Sequence, residues 1–181
     1  MLFNSLLYLL LFLPIVVLFS YKLKKKDFSK ILIIISSIVF YAYYNYFHLP
    51  IIIFSILINY YFSKILIESN YKNFFLFLGV VLNILILSYF KYRVFIIEIV
   101  NSLFNQNIFL EKINFPLALS FITFQQIAYL VDTYNSNSKK KNNFLDYSLF
   151  VIFFPQLIAG PIVRFSQFMS QIKNNFLKIN F

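Results

Sequence analysis

The sequence predicts an all-α, polytopic helical membrane protein with about six membrane segments plus interfacial or re-entrant helices. Three observations predict it. First, 61% of the 181 residues are hydrophobic and the mean hydropathy is +0.78, which excludes an ordinary soluble domain. Second, apolar runs recur at the length of about 20 residues needed to cross hydrocarbon. Third, the net charge of +10 is gathered as lysines in short loops between those runs. That is the positive-inside pattern of a membrane protein and not the footprint of a nucleic-acid binder.

Leu2–Ser20 is expected as a retained first span. It has neither the basic start nor the small-residue cleavage site of a signal peptide, and Pro14 should kink it by removing a helical hydrogen bond. The loop Tyr21–Lys30 carries Lys22, Lys24, Lys25, Lys26 and Lys30 against Asp27 alone. This places it in the cytoplasm and the N-terminus outside. Ile31–Phe47 returns outward and ends in an aromatic cluster suited to the headgroup belt.

Pro50 stands where a helix start tolerates proline, and Pro50–Ile67 goes back in. Its Ser55, Asn59 and Ser63 recur at i, i+4 and i+8, a small and polar stripe that should pack on another helix. Phe74–Phe90 forms the fourth span, with Gly79 and Asn83 on one face; Lys91 and Arg93 then fall on the outer side, against the charge rule. Val94–Leu110 contains Glu98, Asn101, Asn105 and Gln106, too polar for lipid. An amphipathic interfacial or re-entrant helix is expected there.

Phe115–Val131 enters the membrane again, and the Asn135–Asn143 loop lies inside. Asn143 should cap the following helix, with Asp146 in its positive first turn. That helix is expected to break at Pro155 and again at Gly160–Pro161, before an amphipathic Ile162–Ile172. No linker divides the chain, so residues 1–181 form a single integral-membrane domain.

The most informative stretch is Phe150–Phe165, F-V-I-F-F-P-Q-L-I-A-G-P-I-V-R-F. Broken backbone in hydrocarbon survives only when buried in protein or lining a wet cavity, and intramembrane polar groups mark pathways or sites. Pro155, Gln156, Gly160, Pro161 and Arg164 are therefore candidate wall residues. On the preceding helix, Gln125, Tyr129 and Asp132 fall at i, i+4 and i+7 and share one face within about 40°. That face is either the polar inner surface of a passage or a hydrogen-bonded interhelical seam. Arg164 could pair with Asp132 or Asp146, hold a ligand phosphate or carboxylate, or simply snorkel.

His48, the single histidine, has no nearby relay partner in sequence and is expected to be interfacial and not catalytic. No phosphate loop, paired carboxylates or metal-ligand spacing occurs, and no bound cofactor or metal is expected. The absence of cysteine excludes a cysteinyl acyl intermediate within these residues.

Several strings resemble the membrane-bound O-acyltransferase superfamily, in its alginate O-acetyltransferase-like branch. Weak ones are Phe40-Tyr41-Ala42, Asn59-Tyr60, Asn83 and Phe90-Lys91-Tyr92. The strong ones are P-L-A-L-S-F-I-T-F-Q from Pro116 to Gln125, Y-L-V-D-T-Y from Tyr129 to Tyr134, Asp146-Tyr147, and F-F-P-Q-L-I-A-G-P-I-V-R ending at Arg164. Ala118 stands where the family usually has glycine, a methyl expected to tighten a helix contact.

The resemblance implies the N-terminal part of a helical ring around a tunnel. An acyl thioester donor (acetyl-CoA or an acyl carrier) would enter from the cytoplasmic side of the bacterial inner membrane. Acetyl or another small acyl group would leave on an exported polysaccharide, alginate-like, aided by a periplasmic relay protein and export machinery. The family's catalytic histidines lie in a second half that this chain does not include. No catalytic residue is therefore assigned here, and the chain alone is expected to be inactive and poorly stable. A transporter or channel subunit is the alternative, although transporters of that kind carry paired breaks in corresponding halves and here both breaks lie together. A non-catalytic membrane scaffold is the other.

Overall fold

The computed structural model describes residues 5–23, 26–105, 115–136, 142–157 and 160–175, and all regular elements among them are helical. A π-helical turn, Tyr8–Phe12, leads into α1 (Leu13–Lys22). Proline has no N–H and crowds the preceding turn. The widened turn directly before Pro14 accommodates that misfit. Then come α2 (Lys26–Asn45), a 3-10 turn (Tyr46–His48), α3 (Leu49–Glu68) and α4 (Lys72–Phe104). The chain continues with α5 (Leu119–Asn135), α6 (Phe144–Ile152), the single turn α7 (Phe154–Leu157) and α8 (Phe165–Asn175).

Among the described residues, three helical stretches have the length and apolarity to cross a bilayer: Asp27–Tyr44, Tyr46–Glu68 and Lys72–Phe104. The other expected crossings correspond to shorter apolar helices, Tyr8–Ser20 and Phe144–Leu157, and to α5. Helix α6 is buried on every side, from Tyr147 through Ile152, so its apolar run is core and not a lipid-facing surface. It lies mainly against α2, with α3, α5 and α8 closing around it. Pro50 sits in the first turn of α3. Asn143 caps α6, its side chain accepting from the Leu145 N–H at 3.3 Å.

The expectation of a separate helix over Val94–Leu110 is corrected. Helix α4 runs unbroken from Lys72 to Phe104, through Lys91 and Arg93, because no glycine or proline interrupts residues 80–104. Asn105 ends it in the left-handed conformation at φ 51°, a C-terminal stop that asparagine tolerates. Residues 106–110 of the expected segment lie outside the described residues, as do Lys24, Lys25 and residues 137–141 of the basic loops.

The polar stripes come together. Ser55, Asn59 and Ser63 on α3 are buried, as are Gly79 and Asn83 on α4. Asn59 and Asn83 exchange hydrogen bonds, Asn83 Nδ2 donating at 2.6 Å and Asn59 Nδ2 at 3.2 Å. Gln126 of α5 closes the set, its Oε1 accepting from Ser55 Oγ at 2.7 Å and Asn59 Nδ2 at 3.0 Å. Such a seam holds helices where lipid offers no hydrophobic drive for their association. Gly79 makes the close approach feasible: an added Cβ would lie 2.9 Å from a terminal methyl of Leu130.

Ala118 departs from the reason expected for its glycine-like position. It is the N-cap of α5 at φ 56°, ψ 14°, so the methyl strains the backbone instead of tightening a helix contact. Left-handed geometry costs an L-residue roughly 1–2 kcal/mol, which explains why glycine suits the position.

Candidate functional site

The break comes earlier than the Pro155 expected from sequence: α6 ends at Ile152 and Pro155 falls within the single turn α7, and the backbone groups freed at the break are captured. In an unbroken helix the Phe154 N–H would donate to the Phe150 carbonyl. Here Phe154 N–H donates to Ser37 Oγ of α2 at 3.2 Å. The Phe150 carbonyl accepts from Gln125 Nε2 of α5 at 2.9 Å. The Phe154 ring is wedged among Phe12, Phe40 and Tyr8, with centroids 5.3, 5.6 and 6.4 Å away.

Beyond Pro155, which is exposed, the chain closes on itself. Gln156 Nε2 donates to the Pro161 carbonyl at 2.9 Å, and Gly160 N–H donates to the Gln156 carbonyl at 3.0 Å. A side chain at Gly160 would press on Gln156 Cα and its carbonyl oxygen, each 2.9 Å from the added Cβ. Glycine is therefore required by close approach, and Pro161 then directs the chain outward as an exposed residue.

The α5 face runs from this break to a depression of about 590 Å³ at one end of the bundle. Gln125 is fully buried, with its Oε1 unpartnered. One turn on, Tyr129 packs on Tyr147 at 4.6 Å and Phe165 at 5.1 Å between centroids. Its hydroxyl accepts from Asn142 Nδ2 at 3.1 Å and forms part of the floor. Asp132, Asn142, Arg164 and Ser166 stand around the rim.

Thus the structure gathers Tyr129, Asp132 and Arg164 at one mouth, while Gln125 lies deeper. Pro155, Gln156, Gly160 and Pro161 shape the connecting loop and do not line the depression. Among the described residues Arg164 makes no ion pair with Asp132 or Asp146. Asp146 instead pairs with Lys30 at 2.5 Å. Lys30 stands at the start of α2, facing the first turn of α6, and meets the carboxylate first. Arg164 is exposed, and its planar guanidinium suits a phosphate or carboxylate.

His48 sits in the turn before α3 with its ring edge-on to Phe90 at 6.0 Å. At 1.5 Å per residue, about 28 Å of helix separates it from Ile67 at the mouth. It cannot serve as a base there. No group of three or more His, Asp or Glu side chains converges among the described residues. Ser37 and Gln126 are the residues that sequence reading missed: one of two adjacent serines in an apolar run and one of two adjacent glutamines give no signal of what they bond.

Comparison with known proteins supports the resemblance. Residues 135–181 match the model of the membrane-bound O-acyltransferase family. A peptidoglycan O-acetyltransferase of Helicobacter pylori is 36% identical over 205 aligned positions, covering 96% of this chain and 39% of that protein. The "Probable alginate O-acetylase AlgI" of Pseudomonas aeruginosa is 34% identical, covering 96% of this chain and 35% of that protein. The Pseudomonas syringae protein of the same description is 31% identical over the same share of both chains. The chain therefore spans less than two fifths of the length of these curated relatives. No solved structure matches it. The alignments include the broken segment and the rim residues alike, and by them the chain is similar, over 96% of its length, to O-acetyltransferases, with the membrane-bound O-acyltransferase family model matching its final stretch, residues 135–181.

Proposed function

We propose that these residues form part of an O-acyltransferase that moves an acetyl or similar small acyl group from a cytoplasmic thioester to a hydroxyl of an exported polysaccharide. The observation that carries the reading is the mouth where Tyr129, Asp132 and Arg164, which makes no ion pair among the described residues, meet. Lys22, Lys30, Lys64 and Lys72 stand on helix ends at that side of the bundle. The positive-inside rule puts that side in the cytoplasm, of the bacterial inner membrane, with the N-terminus outside.

The donor, acetyl-CoA or an acyl carrier, approaches from that side, and Arg164 attracts its anionic groups. The acceptor oxygen attacks the thioester carbonyl carbon, so that a C–O bond forms as the C–S bond breaks. The hydroxyl proton passes to a base and the thiolate is protonated. The base lies beyond these 181 residues, as the resemblance implies, since His48 is at the wrong end. A periplasmic relay protein and the export machinery receive the product.

The test uses the full-length protein carrying this sequence, in membrane vesicles supplied with labelled acetyl-CoA and polysaccharide acceptor. Arg164→Ala should lower acetyl transfer at least tenfold with unchanged membrane insertion. Wild-type turnover at full expression would remove Arg164 from the site. Transfer by the 181-residue chain alone would refute the placement of the base.

A further inference from the structure

A helix break inside a membrane bundle leaves one donor and one acceptor without their mutual partner, and each costs free energy if it stays orphaned. At the α6–α7 junction both are met from opposite sides. Ser37 of α2 takes the Phe154 N–H, and Gln125 of α5 takes the Phe150 carbonyl. Both side chains are fully buried. Ser37 is itself anchored, donating from Oγ to the Ile33 carbonyl at 2.8 Å. A hydroxyl that donates to its own helix has its lone pairs turned outward, in the orientation the Phe154 N–H needs.

We propose that Ser37 and Gln125 are positioning residues, a two-sided clasp that holds the α6 break open and thereby fixes the loop closed by Gln156 and Pro161, and with it Arg164 on the rim of the depression. Pro155 alone does not fix the geometry. Proline removes only its own N–H, whereas the pair separated by the clasp is Phe150 with Phe154, one residue earlier. Without the clasp these two groups can rejoin, and α6 advances by a residue toward Pro155. The loop closed by Gln156 and Pro161 shifts with it, carrying Arg164. Because the clasp arms belong to α2 and α5, Arg164 is referenced to two helices that both pack on α6 and α3.

The functional part of this inference rests on the proposed acyl transfer, while the structural part does not. The test takes the full-length protein in detergent and reads two quantities: hydrogen exchange at the Phe154 amide, and the KM and kcat for acetyl-CoA. Ser37→Ala should speed Phe154 exchange at least tenfold and raise KM at least fivefold, with Ser37→Thr restoring both. The triple variant Ser37→Ala, Gln125→Leu, Pro155→Ala lets the Phe154 N–H return to the Phe150 carbonyl. It should be folded and protected at Phe154, yet transfer acetyl at least tenfold less than wild type.

Unchanged exchange in Ser37→Ala overturns the clasp. Faster exchange with unchanged KM and kcat, or a triple variant with wild-type transfer, overturns its positioning role. Wild-type protein that transfers no acyl group from either the coenzyme A thioester or an acyl carrier refutes the proposed function and with it the positioning role, while the exchange measurement still decides the clasp.

Discussion

Lys30 Nζ lies 2.5 Å from Asp146 Oδ1, with the two side chains only 13% and 18% exposed, so the second turn of α2 is tied to the first turn of α6. The carboxylate also faces the positive end of the α6 dipole. Lys30 has a second, looser contact with Asp27 at 3.6 Å. Removing Asp146 leaves a mostly buried ammonium with that contact alone, whereas exposed pairs contribute little. Asp146→Ala should therefore destabilise the bundle by about 1–3 kcal/mol, below the full cost for a deeply buried pair. Thermal unfolding in detergent measures it. The exchanged pair Lys30→Asp with Asp146→Lys should recover less than half, because the new lysine opposes the helix dipole.

Ala118 at φ 56° leads to the opposite sign. Ala118→Gly should stabilise by about 0.5–1 kcal/mol, relief of left-handed strain being partly offset by the greater freedom of glycine in the unfolded chain. Ala118→Val should destabilise, as a β-branched residue tolerates that geometry worst. A midpoint that falls for Ala118→Gly would contradict the assigned backbone.

The two glycines in the chain should respond differently to alanine. At Gly79 the new methyl meets the flexible end of Leu130, which can rotate away, and the cost should stay near 1 kcal/mol, at the lower end for overpacking. At Gly160 it meets backbone atoms of Gln156, which cannot yield without opening the Gln156–Pro161 closure. Gly160→Ala should leave the unfolding midpoint little changed, since the loop is peripheral, but expose residues 156–164 to limited proteolysis.

The reciprocal amides Asn59 and Asn83 should behave as one unit. Each single change to alanine leaves buried partners unmet, at about 1–3 kcal/mol. The double change removes both halves and should cost less than the sum, by a coupling of about 0.5–2 kcal/mol. Strict additivity in a double-mutant cycle would show that the seam contributes no pairwise energy.

Much of this architecture is legible in the sequence because its causes are local. Asn143 caps by its own side chain, Gly160 permits a close turn by its own backbone, and Ser55, Asn59 and Ser63 declare a face by spacing alone. What escaped depends on distant partners. No pattern near Phe154 points to Ser37, and nothing near Asp146 ranks Lys30 above Arg164. The length of α4 was obscured for a different reason. Lys91 and Arg93 resemble the end of a crossing, but charge does not stop a helix when no glycine or proline follows. The strain at Ala118 is invisible without a backbone angle, since alanine is otherwise a favoured helical residue.

Helix α4 acts as a measuring rod. Its 33 residues reach roughly 50 Å at 1.5 Å each, against a hydrocarbon slab of about 30 Å. Leaning by about 40°, the steep end of the observed range, still leaves several ångströms unaccommodated. Lys72 and Lys91 lie roughly 28 Å apart along it, close to the slab thickness, so the charges mark its two edges. The apolar tip at Leu103 and Phe104, both exposed, must therefore ride beyond the hydrocarbon, among the headgroups or against protein that covers it.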